Sequence, residues 1–196
     1  ALTANTTADF NVAIGRGAMT TNTTGAGNTA VGTASMDGNS TGNYNTAVGY
    51  NSLLTNSTAA NNTAVGYNAL SLNTTTADNT AVGRSALANN VAAANTAVGK
   101  SALAETTTGT RNVAVGQNAL TTQTTSNNNT AVGYQAGEAT TTSSQVTAIG
   151  CYALTANTTG SNNDALGYAA LYSNTIGQYN VGIGTGALEN NTTASS

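Results

Sequence analysis

Apolar and polar positions along this chain recur at a fixed distance. The block Asn-Thr-Ala-Val-Gly comes round repeatedly, with its glycine at Gly15, Gly32, Gly49, Gly66, Gly83, Gly99, Gly116, Gly133, Gly150, Gly167 and Gly184. Nine intervals are 17 residues long, and the one from Gly83 to Gly99 is 16. With each glycine as position 0, the columns are sharp. Position −4 is Asn in every repeat except at Val146. Position −3 is mostly Thr, replaced by Val12, Val113, Asp164 and Val181. Position −2 is Ala except Gly182, and −1 is always Val, Ile or Leu. Position +3 is Ala or Ser, and +4 is Leu or Met except Gly137. A polar stretch follows, as in Asn22–Gly25. The pattern predicts two short strands per repeat, −4 to −1 and about +1 to +5, with a corner at the glycine and a turn in the polar stretch. Helix is the competing reading, because Ala and Leu are good helix formers. No apolar stripe of period 3.6 survives Asn, Thr and Gly in every 17 residues.

Self-similarity at this period means a stacked array. The expected fold is all-β: a parallel β-solenoid or β-roll of eleven 17-residue coils. A partial coil, 1–10, precedes coils that start at Asn11, Asn28, Asn45, Asn62, Asn79, Asn95, Asn112, Asn129, Val146, Asn163 and Asn180. The array is one domain. At about 4.8 Å per coil it spans roughly 50 Å. In-register stacking predicts an amide ladder of Asn over Asn and a thin core of Val over Val. Ala at −2 is held small beside an equally constrained Val at −1. Neighbouring strand residues face opposite ways, so this pairing favours close approach by an identical chain around a three-fold axis. The alternative is that Ala fits inside a narrow coil. The start at Ala1 reads as a processed chain or a segment of a longer one.

Asn11-Val-Ala-Ile-Gly15 and Asn112-Val-Ala-Val-Gly116 resemble the head repeats of trimeric autotransporter adhesins over the strand block. The full unit, Asn45-Thr-Ala-Val-Gly-Tyr-Asn-Ser-Leu53 followed by Asn56-Ser-Thr58, resembles tail-fibre-like proteins of phages and bacteria, essentially along the whole chain. Many of those carry a C-terminal self-cleaving intramolecular chaperone. The resemblance implies a fibre, usually trimeric, at an extracellular, cell-surface or virion location, made for reach and attachment. The expected partners are identical chains, as a trimer or polymer, and, from the surface columns described below, a cell-surface glycan.

Composition narrows the function further. Thr, Ala, Asn and Gly fill 126 of 196 positions, while Val, Ile, Leu and Phe fill 29, too few for a conventional enzyme core. Disorder fits poorly, since net charge is only −3 and Pro is absent. With no His, a His–carboxylate triad or a His-ligated zinc is excluded. Four basic residues are too few for a nucleic-acid surface. No apolar run is long enough to span a membrane as a helix. The lone Cys151 forms no internal disulfide. The expectation is a non-enzymatic structural protein without cofactor or metal. The competing reading is a binding module whose repeated columns match glycan or ice.

Three features hold candidate chemistry. Asp37, Glu138 and Glu189 share +5, but Asp37 and Glu138 are six coils apart, roughly 29 Å at the stacking distance. A hydrolytic pair needs about 10 Å or less. Position +1 collects Arg16, Tyr50, Tyr67, Arg84, Lys100, Tyr134 and Tyr168. Stacked aromatics and cations form an exposed stripe for glycans or a neighbouring fibre, or shield the thin coil. Shielding is the preferred reading. Position +7 opens an Asn-x-Ser/Thr sequon at Asn5, Asn22, Asn39, Asn56, Asn73, Asn157 and Asn191. These place sugars down one edge if glycosylated, or reflect turn composition, which is favoured.

Overall fold

A computed structural model describes residues 1–195; Ser196, the last residue of the array, lies outside them. The protein is a parallel β-solenoid. Eleven three-residue strands form one sheet in chain order: β1 Val12–Ile14, β2 Thr29–Val31, β3 Thr46–Val48, β4 Thr63–Val65, β5 Thr80–Val82, β6 Thr96–Val98, β7 Val113–Val115, β8 Thr130–Val132, β9 Thr147–Ile149, β10 Asp164–Leu166 and β11 Val181–Ile183. Columns pair with themselves, as in Thr46↔Thr63, Ala47↔Ala64 and Val48↔Val65. The short interval keeps this register, with Thr80↔Thr96. Its missing residue comes out of the polar loop. Asn90 Nδ2 donates to the carbonyl two residues on, Ala92 (2.6 Å), whereas Asn73 reaches three residues on to Thr76 (2.9 Å).

Each coil has one strand, not two. The +1 to +5 segment is a chain of turns whose backbone alternates in hand. Among the described residues thirty non-glycine residues have positive φ, and all fall at −5, +2 or +4; Asn51 (54°) and Leu53 (49°) are examples. Alternation turns successive amides toward opposite neighbours. The Asn51 amide donates back to the Thr33 carbonyl (3.1 Å), and the Leu53 amide donates forward to the Ala69 carbonyl (3.0 Å). Left-handed backbone at a leucine costs about 1–2 kcal/mol. Complete burial of its side chain, at about 1.5–3 kcal/mol, offsets that. Coil-to-coil hydrogen bonding therefore runs well beyond the sheet, which meets the demand that buried backbone groups be paired.

The inside and outside of the strand also differ from the expectation. Ala at −2 is the inward residue, fully buried at Ala30, Ala47, Ala64 and Ala81. Val at −1 faces outward, and none of the eleven residues in that column is buried. The core is Ala at −2, Ala or Ser at +3 and Leu or Met at +4, flanked by two buried asparagine columns. Small size at −2 is imposed by the opposite wall of the same coil. The close-approach argument for a three-fold axis loses its basis there.

Glycine at 0 is required. Its φ is near +135° in most coils, and a Cβ on Gly66 would lie 2.6 Å from the Gly83 carbonyl oxygen. The next coil's backbone occupies the space a side chain would need.

Candidate functional site

The asparagines at −4 and +7 are structural. At −4, the Asn62 amide donates to Asn45 Oδ1 (2.9 Å), and Asn45 Nδ2 donates to the Ala59 carbonyl (2.8 Å). At +7, Asn39 Nδ2 donates to Asn22 Oδ1 and Asn56 Nδ2 to Asn39 Oδ1, both at 2.8 Å. The same side-chain ladder links Asn5 to Asn22, Asn56 to Asn73, and Asn157 through Asn174 to Asn191. Asn22, Asn39, Asn56, Asn73 and Asn157 are fully buried. The nitrogen a glycan would occupy is already a donor inside the coil. Sugars on these five residues are incompatible with this fold. Only Asn5 and Asn191, at the two ends of the ladder, retain exposure.

Among the acids at +5, Asp37 accepts from the Thr20 hydroxyl. Glu138 accepts from Gln135 Nε2 (2.5 Å). Among the described residues no cluster of His, Cys, Asp and Glu is placed to hold a metal ion. Asp164 stands on the outer, exposed side of β10.

The +1 column lies on the corner after the strand, and its tyrosines are about half exposed. It is broken into groups. Tyr50 and Tyr67 stack with ring centroids 5.6 Å apart and planes at 9°, and the Arg84 guanidinium lies 5.8 Å from the Tyr67 centroid. Thr33, Gln117, Cys151 and Thr185 interrupt the column, and Arg16 and Lys100 stand in it apart from any ring.

The second group is richer than the column alone implies. Tyr152, at +2, meets Tyr134 at 5.4 Å, Tyr168 at 6.0 Å and Tyr172 at 6.3 Å, all edge-to-face. Tyr168, Tyr172 and Tyr152 line a cleft of about 400 Å³ together with Gln135, Ala169 and Glu189. Its floor is low because +2 is Ala169 in the tenth coil and Gly186 in the eleventh. Burial pushes the Tyr152 phenol up, and the phenols of Tyr134, Tyr168 and Tyr172 and the Cys151 thiol add to the shift. Sequence reasoning picked out Tyr134 and Tyr168 but missed the cluster. Its signal was a departure from the repeat: Tyr152 and Tyr172 are the single aromatics in the +2 and +5 columns.

The fold and its surface define a parallel β-solenoid with an asparagine-laddered interior, an outer sheet face that sets an aliphatic row beside a mostly Thr row, and a tyrosine-lined corner. No protein-family model, curated protein or solved structure matches the chain.

Proposed function

We propose that the chain is a structural fibre segment, a stiff shaft or head piece of an extracellular attachment filament. In this reading it packs lengthwise against identical chains through the outer face of its sheet. One observation carries this: the −1 column sets eleven Val, Ile or Leu side chains in an unbroken outward row from Ile14 to Ile183, six of them exposed and the other five half-buried. Val12, Val113 and Val181 widen it at −3. An apolar ribbon that runs the length of a rod is more than an isolated soluble chain ordinarily exposes. Burial against a copy removes it from water, and the fixed register of the coils lets one strip match another. Resemblance to trimeric fibre repeats agrees with three chains. Sedimentation and native mass should give an oligomer. Replacing Val65 and Val82 together with Asp should reduce it to monomers that keep their circular dichroism. A wild-type chain that stays monomeric at micromolar concentration, or a double variant of unchanged mass, sinks the proposal.

A second reading draws on the same face. Seven strands carry Thr at −3, partly exposed and two residues from the outward apolar side chain, which makes a regular hydroxyl–methyl array. Such an array suits a periodic ligand such as ice. Inhibition of ice recrystallisation by the monomer supports it, and a blank assay removes it.

A further inference from the structure

The cleft between the eighth and eleventh coils is where the repeat surface departs most from its own pattern. Elsewhere +2 is Asn, Ser, Gln, Ala or Gly, and +5 is never aromatic. Here Tyr152 and Tyr172 enter those columns beside Tyr168 and leave a trough over Ala169. From Gln135 to Glu189 the trough runs along the rod for three coil steps, about 14 Å at 4.7–4.9 Å each. A shielding role does not call for a concave surface. The +1 tyrosines Tyr50 and Tyr67 cover their coils as a flat stack.

The lining has two kinds of chemistry. The rings of Tyr168 and Tyr172 are 55% and 40% exposed and offer apolar area to a partner. Around them stand the Gln135 amide, the Glu189 carboxylate and three phenol groups. An open groove with aromatic walls and a few converging polar groups is the usual form of a small-molecule site. The rings pack edge-to-face on Tyr152 instead of surrounding one point. That arrangement argues against an aromatic cage for a quaternary ammonium, which needs several ring faces turned on one charge. Charge also selects: Glu189 lies in the cleft, no cation lines it, and the chain carries −3 overall. Anionic ligands are disfavoured.

We propose that this cleft binds neutral β-1,4-linked pyranose chains, with ring faces stacked on Tyr168 and Tyr172 and hydroxyls hydrogen-bonded to Gln135 and Glu189. Equatorial linkages keep such a chain flat and extended, as a trough that crosses three coil steps requires. The site does not depend on the fibre reading, because it lies on the corner after the strand and not on the sheet's outer face.

The test is a titration of the full chain with cellotetraose and with chitotriose, followed by tyrosine fluorescence and by chemical shifts. Choline chloride serves as the competing probe. Saturable binding at millimolar concentration is expected for at least one sugar. Tyr172→Ala should weaken it by about tenfold, the scale of losing one aromatic stacking platform. Glu189→Gln, at an exposed position, should weaken it several-fold with the melting curve unchanged. Tyr50→Ala should leave it intact. Absence of saturation by both sugars, binding that survives Tyr172→Ala and Glu189→Gln alike, or a response to choline alone overturns the proposal.

Discussion

Replacement of Asn39 tests the interior ladder most directly. Its side chain is fully buried and makes three hydrogen bonds: Nδ2 donates to Asn22 Oδ1 (2.8 Å) and to the Gly42 carbonyl (3.1 Å), and Oδ1 accepts from Asn56 Nδ2 (2.8 Å). In Asn39→Ala, the Gly42 carbonyl keeps Asn28 Nδ2 (2.8 Å) and Asn56 Nδ2 keeps the Ala59 carbonyl (3.2 Å). Asn22 Oδ1 loses its donor. One newly orphaned buried acceptor costs about 1–3 kcal/mol, and each of the other two bonds about 0.5–1.5 kcal/mol. With the void left behind, a loss of at least about 3 kcal/mol is expected. Asn39→Asp fills the same space but sets a carboxylate against two oxygens, so its folded pKa rises above the usual carboxylate range. The raised value fixes the sign: the protonated variant is the more stable one. Its stability is fully present at acid pH and falls as pH rises through that folded pKa. Urea unfolding followed by circular dichroism measures both variants, with Thr24→Ala on the exposed loop as control. Midpoint and slope should be compared together, because a stacked array need not unfold in one step. If Asn39→Ala is no more destabilising than the control, the ladder is geometry without energetic weight.

Other outcomes follow from neighbouring features. Gly66→Ala drives a Cβ into the Gly83 backbone and should cost more than about 4 kcal/mol. Gly184→Ala meets nothing within 4 Å and should cost only the strain of a glycine-type backbone, about 1–3 kcal/mol; paired thermal melts distinguish the two. Thr106 occupies +7 with its buried hydroxyl unpartnered, inside a loop that otherwise matches Asn22–Gly25. Thr106→Asn should therefore raise stability by about 1 kcal/mol in the same urea assay. Alkaline difference spectra of wild type and Tyr152→Phe should show the Tyr152 phenol ionising above its ordinary value of 10.0. Because that folded pKa is raised, its contribution to stability is present below pH 10 and fades as pH climbs further.

The repeat, its phase and its parallel self-pairing were legible in the sequence because every column repeats its own chemistry. The inward face was not, and parity explains why. Asn at −4 and Val at −1 stand an odd number of residues apart, so both cannot face the interior of one straight strand. Hydrophobicity favoured Val, whereas the fold sides with Asn and places Ala at −2 beside it. The alternating turn from +1 to +5 was hidden for another reason. Its left-handed positions hold mostly Asn, Ser, Leu and Met, and only Gly17, Gly137 and Gly186 hint at positive φ. The +7 asparagines looked like turn residues because a sequon and a buried ladder are written with the same letters. The tyrosine cleft emerges only when departures from the columns are read across four neighbouring coils.

The ladder bonds between coils point along the rod, which governs how such a rod bears load. Tension spread evenly over a whole cross-section pulls on all the bonds of one coil boundary at once. Tension applied through the terminal residues meets them one after another at the last coil. That coil can peel away without disturbing the next. Each release frees about 17 residues of chain, roughly 55–60 Å of extended length, in exchange for one 4.8 Å step of rod. The same molecule is then a rigid strut under distributed force and an extensible tether under force at its tip.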